Sequence, residues 1–157
     1  MELRRVVTGH DPEGRAAVLI DEPVTNVTSR RPGHEAAVVW TTEGYPVDNN
    51  GAADAARREL ASTLPNGTVF RVISYGPGCA PRRHRTDSID YAVVLSGAID
   101  MELDDGISVH LKAGDVLVQR GTIHNWVNNG SEPCVIAFVL IDATPVTVNG
   151  QGLPAQG

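Results

Sequence analysis

From residue 67 onward, turn residues cut the chain into short apolar segments at nearly even intervals. T-V-F-R-V-I-S-Y (68–75), I-D-Y-A-V-V-L-S (89–96), A-I-D-M-E-L (98–103), I-S-V-H-L (107–111), V-L-V-Q-R (116–120), I-H-N-W-V-N (123–128) and C-V-I-A-F-V-L-I (134–141) follow one another. Between them stand P-G-C-A-P, Gly97, Asp104-Asp105-Gly106, K-A-G-D, Gly121-Thr122 and N-G-S-E-P. The segments are rich in β-branched residues and too short for stable amphipathic helices. R-R-V-V-T-G-H (4–10) and R-A-A-V-L-I-D (15–21), joined by the turn D-P-E-G, and H-E-A-A-V-V-W-T-T (34–42) extend the pattern toward the N-terminus. Roughly ten strands at about ten-residue spacing predict an all-β sandwich or barrel. One short helix is expected over 52–61, where A-A-D-A-A-R-R-E-L-A is Ala-rich and stops before Pro65-Asn66-Gly67. Residues 22–34 read as loop and 142–157 as a mobile tail. The whole is one domain, with 1–66 packed on a barrel of 67–141.

A chain of 157 residues suits a single full core. Its net charge of −6 argues against binding nucleic-acid backbones. No apolar run approaches a membrane span, and M-E-L-R-R-V-V lacks the apolar stretch of a signal peptide. Cys79 and Cys134 form no C-x-x-C pair and read as small buried hydrophobes. The expectation is a reduced, cytoplasmic protein.

The chemistry concentrates in two stretches. In P-R-R-H-R-T-D-S-I-D-Y, residues 82, 84, 86 and 90 share strand parity and point one way if the bend between them preserves it. A carboxylate at Asp90, on a face continued by Ala92 and Val94, is costly to bury without a partner. In G-T-I-H-N-W-V-N, His124 shares its face with Trp126 and Asn128. His84, Asp90 and His124 together offer two imidazoles and one carboxylate with open positions. That set suits one divalent transition metal ion: Fe(II), Zn(II), Mn(II) or Co(II). The plainer alternative is a hydrogen-bonded cluster without metal. Arg82 could clamp a substrate carboxylate or sit at a strand edge, and Thr86 fits a hydrogen-bonding role better than a ligand role. Val72, Ala92, Val94, Trp126, Ile136 and Phe138 are candidates to line a pocket, although core packing accounts for most of them equally well. His10, His34 and His110 read as solvated. Trp40 and Tyr45 could form a lid or pack elsewhere.

These residues resemble the two motifs of the cupin family. The first, G-x5-H-x-H-x3/4-E-x6-G, is matched in spacing by Gly78, His84, Thr86, Asp90 and Gly97. The second, G-x5-P-x-G-x2-H-x3-N, is matched by Gly114, Gly121, His124 and Asn128, one residue short. Thr86 replaces the usual second histidine, Asp90 the usual glutamate and Arg120 the usual proline. V-V-W-T-T, H-R-T-D-S-I-D-Y and V-Q-R-G-T are similar to a subgroup of small cupins found near secondary-metabolite and aromatic-degradation genes. The resemblance implies a double-stranded β-helix (jelly-roll) barrel with extra N-terminal strands and a metal site at His84, Asp90 and His124. It also implies a homodimer. The expected activity is Lewis-acid enolate chemistry on a small carbonyl, carboxylate or polyketide-type metabolite: decarboxylation, dehydration, isomerisation or cyclisation. An Fe(II)-dependent dioxygenase and a non-catalytic small-ligand binder are the alternatives.

Overall fold

The computed structural model describes residues 1–51 and 53–157. Thirteen strands are found among them, and no α-helix. They are β1 (Arg4–His10), β2 (Ala16–Pro23), β3 (Val27–Arg31), β4 (His34–Glu43), β5 (Gly67–Tyr75), β6 (Ser88–Ser96) and β7 (Ala98–Glu102). Then follow β8 (Ser108–Lys112), β9 (Val116–Arg120), β10 (Asn125–Val127), β11 (Cys134–Asp142), β12 (Val146–Val148) and β13 (Gln151–Leu153). Six strands form one sheet in the order β3-β4-β5-β11-β6-β9, and three form a second in the order β10-β7-β8. The strand spacing predicts a sandwich or barrel, and the two sheets fit the jelly roll that the resemblance implies. The sheets do not join into a continuous hydrogen-bonded cylinder.

Register decides which side chains face inward. Ile73 pairs with Ile136, and Ile136 with Val94. Val69 pairs with Leu140, Leu140 with Asp90, and Asp90 with Gln119. Odd residues of β5 therefore share the inner face with even residues of β11 and β6. The core is built on that face: Val69, Ile73, Tyr75, Ile136 and Phe138 meet Ile99, Met101 and Trp126 of the smaller sheet. Each such burial contributes about 1.5–3 kcal/mol for a full-sized side chain. Gly97 makes the tight turn from β6 to β7, with φ of 74°. A Cβ there would stand 2.5 Å from the Pro133 carbonyl oxygen, so the position admits only glycine without displacement.

Three expectations fail, each for a local reason. The helix expected over 52–61 is only a 3-10 turn at Ala55–Arg57; Ala52 lies outside the described residues. Asp54 caps that turn by accepting from the Ala56 amide at 3.1 Å and is held by Arg5, and the chain is extended again at Arg58. A single turn cannot offset the cost of helix nucleation. Leu60 and Leu64 instead pack on the core. The expected loop 22–34 contains β3, whose Thr, Ser and Arg side chains suit an exposed sheet edge. The expected mobile tail contains the hairpin β12–β13, turned by Asn149-Gly150 with both φ positive, the N-G signal for a two-residue turn. Beyond it, Gln156 exchanges backbone hydrogen bonds with Arg85 at 2.9 and 3.0 Å.

Candidate active site

The two sequence stretches meet through the backbone. His84 and His124 form an isolated antiparallel bridge, each amide donating to the other's carbonyl at 2.9 Å. This pairing holds the imidazoles side by side, with ring centroids 4.3 Å apart. Each ring is oriented by a carbonyl two residues back. His84 Nδ1 lies 3.0 Å from the Arg82 carbonyl, and His124 Nδ1 lies 2.9 Å from the Thr122 carbonyl. Those contacts require Nδ1–H on both rings, which leaves each Nε2 as an acceptor; that of His84 has no hydrogen-bond partner among the described residues, and that of His124 faces the Gln119 amide at 3.4 Å. Burial favours the neutral form of both. It pushes His84 down to about 4, with His124 adding to the effect, and lowers His124 as well.

Asp90 anchors a chain of polar side chains beside the histidines. Its Oδ1 accepts from the Ser88 hydroxyl at 2.6 Å, and Ser88 Oγ lies 2.8 Å from Thr86 Oγ1. Its Oδ2 accepts from Gln119 Nε2 at 3.1 Å, and the same amide nitrogen approaches His124 Nε2 at 3.4 Å. Gln119 thus stands between the carboxylate and the imidazole, and its Oε1 is buried without a partner. Burial raises the Asp90 carboxyl above the usual range, opposed by Ser88, Arg71 and Gln119. Among the described residues, no three His, Cys, Asp or Glu side chains converge closely enough to hold an ion. The imidazoles lie side by side, and Gln119 stands between Asp90 and His124.

Arg82, His84, Thr86, Asp90 and His124 all line one cavity of about 730 Å³, as their shared parity predicts. Trp126 and Phe138 form apolar wall, stacked edge to face with centroids 5.8 Å apart. Asn128 secures the His124 segment by donating to the Tyr75 and Glu132 carbonyls at 2.8 and 2.9 Å. The other candidate pocket residues need correction. Ala92, Val94 and Ile136 are buried in the packing between the sheets and do not form the cavity wall. Val72 has the wrong parity, because its β11 partner Ala137 faces away from the core. His34, expected in solvent, is buried and lines the cavity, with its ring edge-to-face on Tyr75. Tyr45 is 95% exposed and no lid, and Trp40 does not reach the cavity.

Among the cavity residues that went unrecognised in the sequence are Gln119, Arg71 and His34. Gln119 and Arg71 carried the same signal, a polar side chain at an inward position of an apolar strand. V-L-V-Q-R alternates so that Leu117 and Gln119 share a face, and V-F-R-V-I-S-Y places Arg71 in line with Val69 and Ile73.

Comparison with known proteins shows the family to which this fold belongs. The Cupin domain family matches residues 71–141. The cupin-domain-containing oxidoreductase fogC of Aspergillus ruber is 37% identical over 156 residues, spanning 94% of this chain and 76% of that protein. The chain belongs to the cupin family. The phomopsin biosynthesis cluster protein C' of Diaporthe leptostromiformis is 38% identical to this cupin over 157 residues, 94% of this chain and 82% of the relative. Among solved structures, the polyketide cyclase RemF from Streptomyces resistomycificus shares the cupin fold at 18% identity. Its TM-score is 0.53, covering 85% of this chain and 78% of that one.

Proposed function

We propose that this cupin is an enzyme of small-molecule metabolism whose reaction centre is the His84–His124 pair. The observation that carries the reading is the tautomer lock: two neutral imidazoles stand side by side, each tied by Nδ1 to a carbonyl so that Nε2 is left as the acceptor, with the weak Gln119 contact to His124 the one to be displaced. That is how protein imidazoles are prepared for a divalent ion. His84 and His124 would hold the ion, with Asp90 as the carboxylate behind Gln119. An ion bound there would polarise a substrate carbonyl and stabilise negative charge developing on its oxygen. Trp126 and Phe138 would pack against the substrate's hydrocarbon body and exclude water from the reacting carbons. Thr86 and Ser88 link the cavity to Asp90 through hydroxyls and can pass a proton between the carboxyl and a substrate atom. The raised Asp90 carboxyl is suited to that exchange.

Relatives named for phomopsin and oryzine biosynthesis clusters support a role in secondary metabolism, and the neighbouring fold named a polyketide cyclase supports carbon–carbon chemistry on a carbonyl compound. A second reading, oxidation with iron, is favoured by the name oxidoreductase carried by several relatives. Metal titration under anaerobic conditions tests the centre. Wild-type protein should take up one equivalent of Fe(II), Zn(II) or Mn(II), and His84→Ala and His124→Ala should each take up none while melting cooperatively. No uptake by the wild type, or full uptake by either variant, overturns the assignment. Iron uptake coupled to oxygen consumption with aromatic diols would select the second reading.

A further inference from the structure

The cavity is cationic within an acidic protein. Arg30, Arg31 and Arg71 line it without a carboxylate within ion-pairing distance among the described residues. Arg31 donates to the Ala80 carbonyl at 3.0 Å, and Arg82, also on the wall, donates to a main-chain oxygen of Gly157 at 2.7 Å. Arg71 is the most enclosed. Its Nη2 donates to the Ser62 carbonyl at 2.6 Å and, more weakly, to the Ala61 carbonyl at 3.4 Å. Its Nε is buried and has no partner. The two acids of the wall, Glu59 and Asp90, form no ion pair with it; Asp90 acts on it only at a distance and is hydrogen-bonded to Ser88 and Gln119.

An unpaired guanidinium in a half-enclosed site is costly, and an anionic ligand offsets that cost. The position of Arg71 fixes where the anion would lie. Arg71 pairs with Phe138 on β11, and Phe138 with Ala92 on β6. Asp90 is one step along the same face of β6. Two strand spacings of about 4.8 Å and that offset therefore separate the backbone of Arg71 from that of Asp90, a span of the order of a small aromatic molecule. Between them the wall is apolar, with Phe138 and Trp126.

We propose that Arg71 is a substrate-binding residue that receives a carboxylate, so that the cavity takes ligands with an aromatic or apolar body and one carboxylate directed away from the His84–His124 pair. Nη2 is held by Ser62 and Ala61 and Nε is enclosed, so Nη1, which has no hydrogen-bond partner among the described residues and is not enclosed, is the nitrogen left to meet a carboxylate oxygen. This inference rests on the cavity being a small-molecule site and does not require a metal.

Calorimetry and Trp fluorescence on metal-free protein in excess chelator test it, using 2-naphthoate, its neutral isostere naphthalene-2-carboxamide and sulfate. The wild type should bind naphthoate at least tenfold more tightly than the amide. Arg71→Met, which retains the length and removes the charge, should bind the two equally while keeping the amide affinity. It should also melt no lower than the wild type, since it loses an unpaired buried charge. Equal binding of acid and amide by the wild type would overturn the proposal. So would an acid preference that survives in Arg71→Met, or sulfate competing as well as naphthoate. Because chelator is present throughout, failure here and failure of metal uptake are separate results.

Discussion

Asp90 gives the sharpest test of the site, because two substitutions of similar size should have different effects. The carboxylate accepts from Ser88 and from Gln119, and burial makes its charged form unfavourable. Asp90→Asn can keep both contacts. The new Oδ1 accepts from Gln119 Nε2, and the new Nδ2 donates to Ser88 Oγ, which turns its proton to Thr86. The charge is gone, so the desolvation cost goes with it. Asp90→Ala removes both acceptors. Ser88 can still donate to Thr86 Oγ1, 2.8 Å away, but the Gln119 amide is left with one acceptor at 3.4 Å, and its Oε1 already has none. One stranded amide donor costs about 1–3 kcal/mol. At this chain length 1 kcal/mol moves Tm by roughly 2–4 °C. Thermal melts of metal-free protein at pH 7 should therefore show Asp90→Asn level with or above the wild type and Asp90→Ala lower by roughly 2–12 °C. A raised carboxyl pKa means that the folded state takes up the proton more readily than the unfolded state. Any gain of Asp90→Asn should accordingly shrink as pH falls through the Asp90 titration. If Asp90→Asn is as destabilising as Asp90→Ala, the carboxylate charge itself is needed, and the hydrogen-bond account of this network is wrong.

His34 and His84 are both held near 4, below the 6.5 of the free side chain, chiefly by burial. The unfolded chain binds these protons first, so stability is fully present above about 6.5 and is lost as pH falls toward 4, by on the order of 2 kcal/mol per ring. Melts between pH 7 and 4 should show the decline, and His34→Gln should flatten it; an unchanged slope would refute the burial argument for His34. Gly97→Ala should cost about 2–4 kcal/mol in urea unfolding, from the left-handed backbone and the contact with Pro133, and a loss under 1 kcal/mol would contradict that geometry. Asp54→Ala should cost about 2–4 kcal/mol, because Arg5 is 5% exposed and loses a bidentate partner along with the cap of the 3-10 turn. Asp21→Ala, facing the 71%-exposed Arg4, should cost under about 1 kcal/mol, and equal losses for the two would refute the burial distinction.

Strand existence was legible because it depends on local chemistry, the alternation of β-branched residues and turn signals. The parity of 82, 84, 86 and 90 was legible for the same reason, and all four line the cavity. Register is not local. Val72 was placed with Ala92 and Ile136, but the pairing of Ile73 with Ile136 puts Val72 on the other face. His34 read as solvent-exposed because R-P-G-H-E is polar in sequence; it is buried because β4 lies between β3 and β5, beside Tyr75. Ala-rich composition suggested a helix at 52–61, but the contact of Asp54 with Arg5, 49 residues away, outweighs that propensity.

Net charge misleads at this site for a physical reason. The chain carries −6 overall, which suggests repulsion of anions. That sum describes distant approach through water, where charges beyond about 10 Å are screened. Inside a half-enclosed cavity the nearest charges dominate, since screening water is sparse and the effective dielectric is lower. Many acids of this protein are tied up in pairs away from the cavity, such as Asp21 with Arg4 and Asp11 with Arg15, whereas Arg31, Arg71 and Arg82 line it, with the exposed Arg30 at its rim. An anion small enough to enter meets guanidinium groups as well as neutral imidazoles. Salt should accordingly weaken naphthoate binding only slightly, because Arg71 lies within the cavity. A steep salt dependence would place the recognising charge on the rim, at Arg30, which is exposed, and not at Arg71.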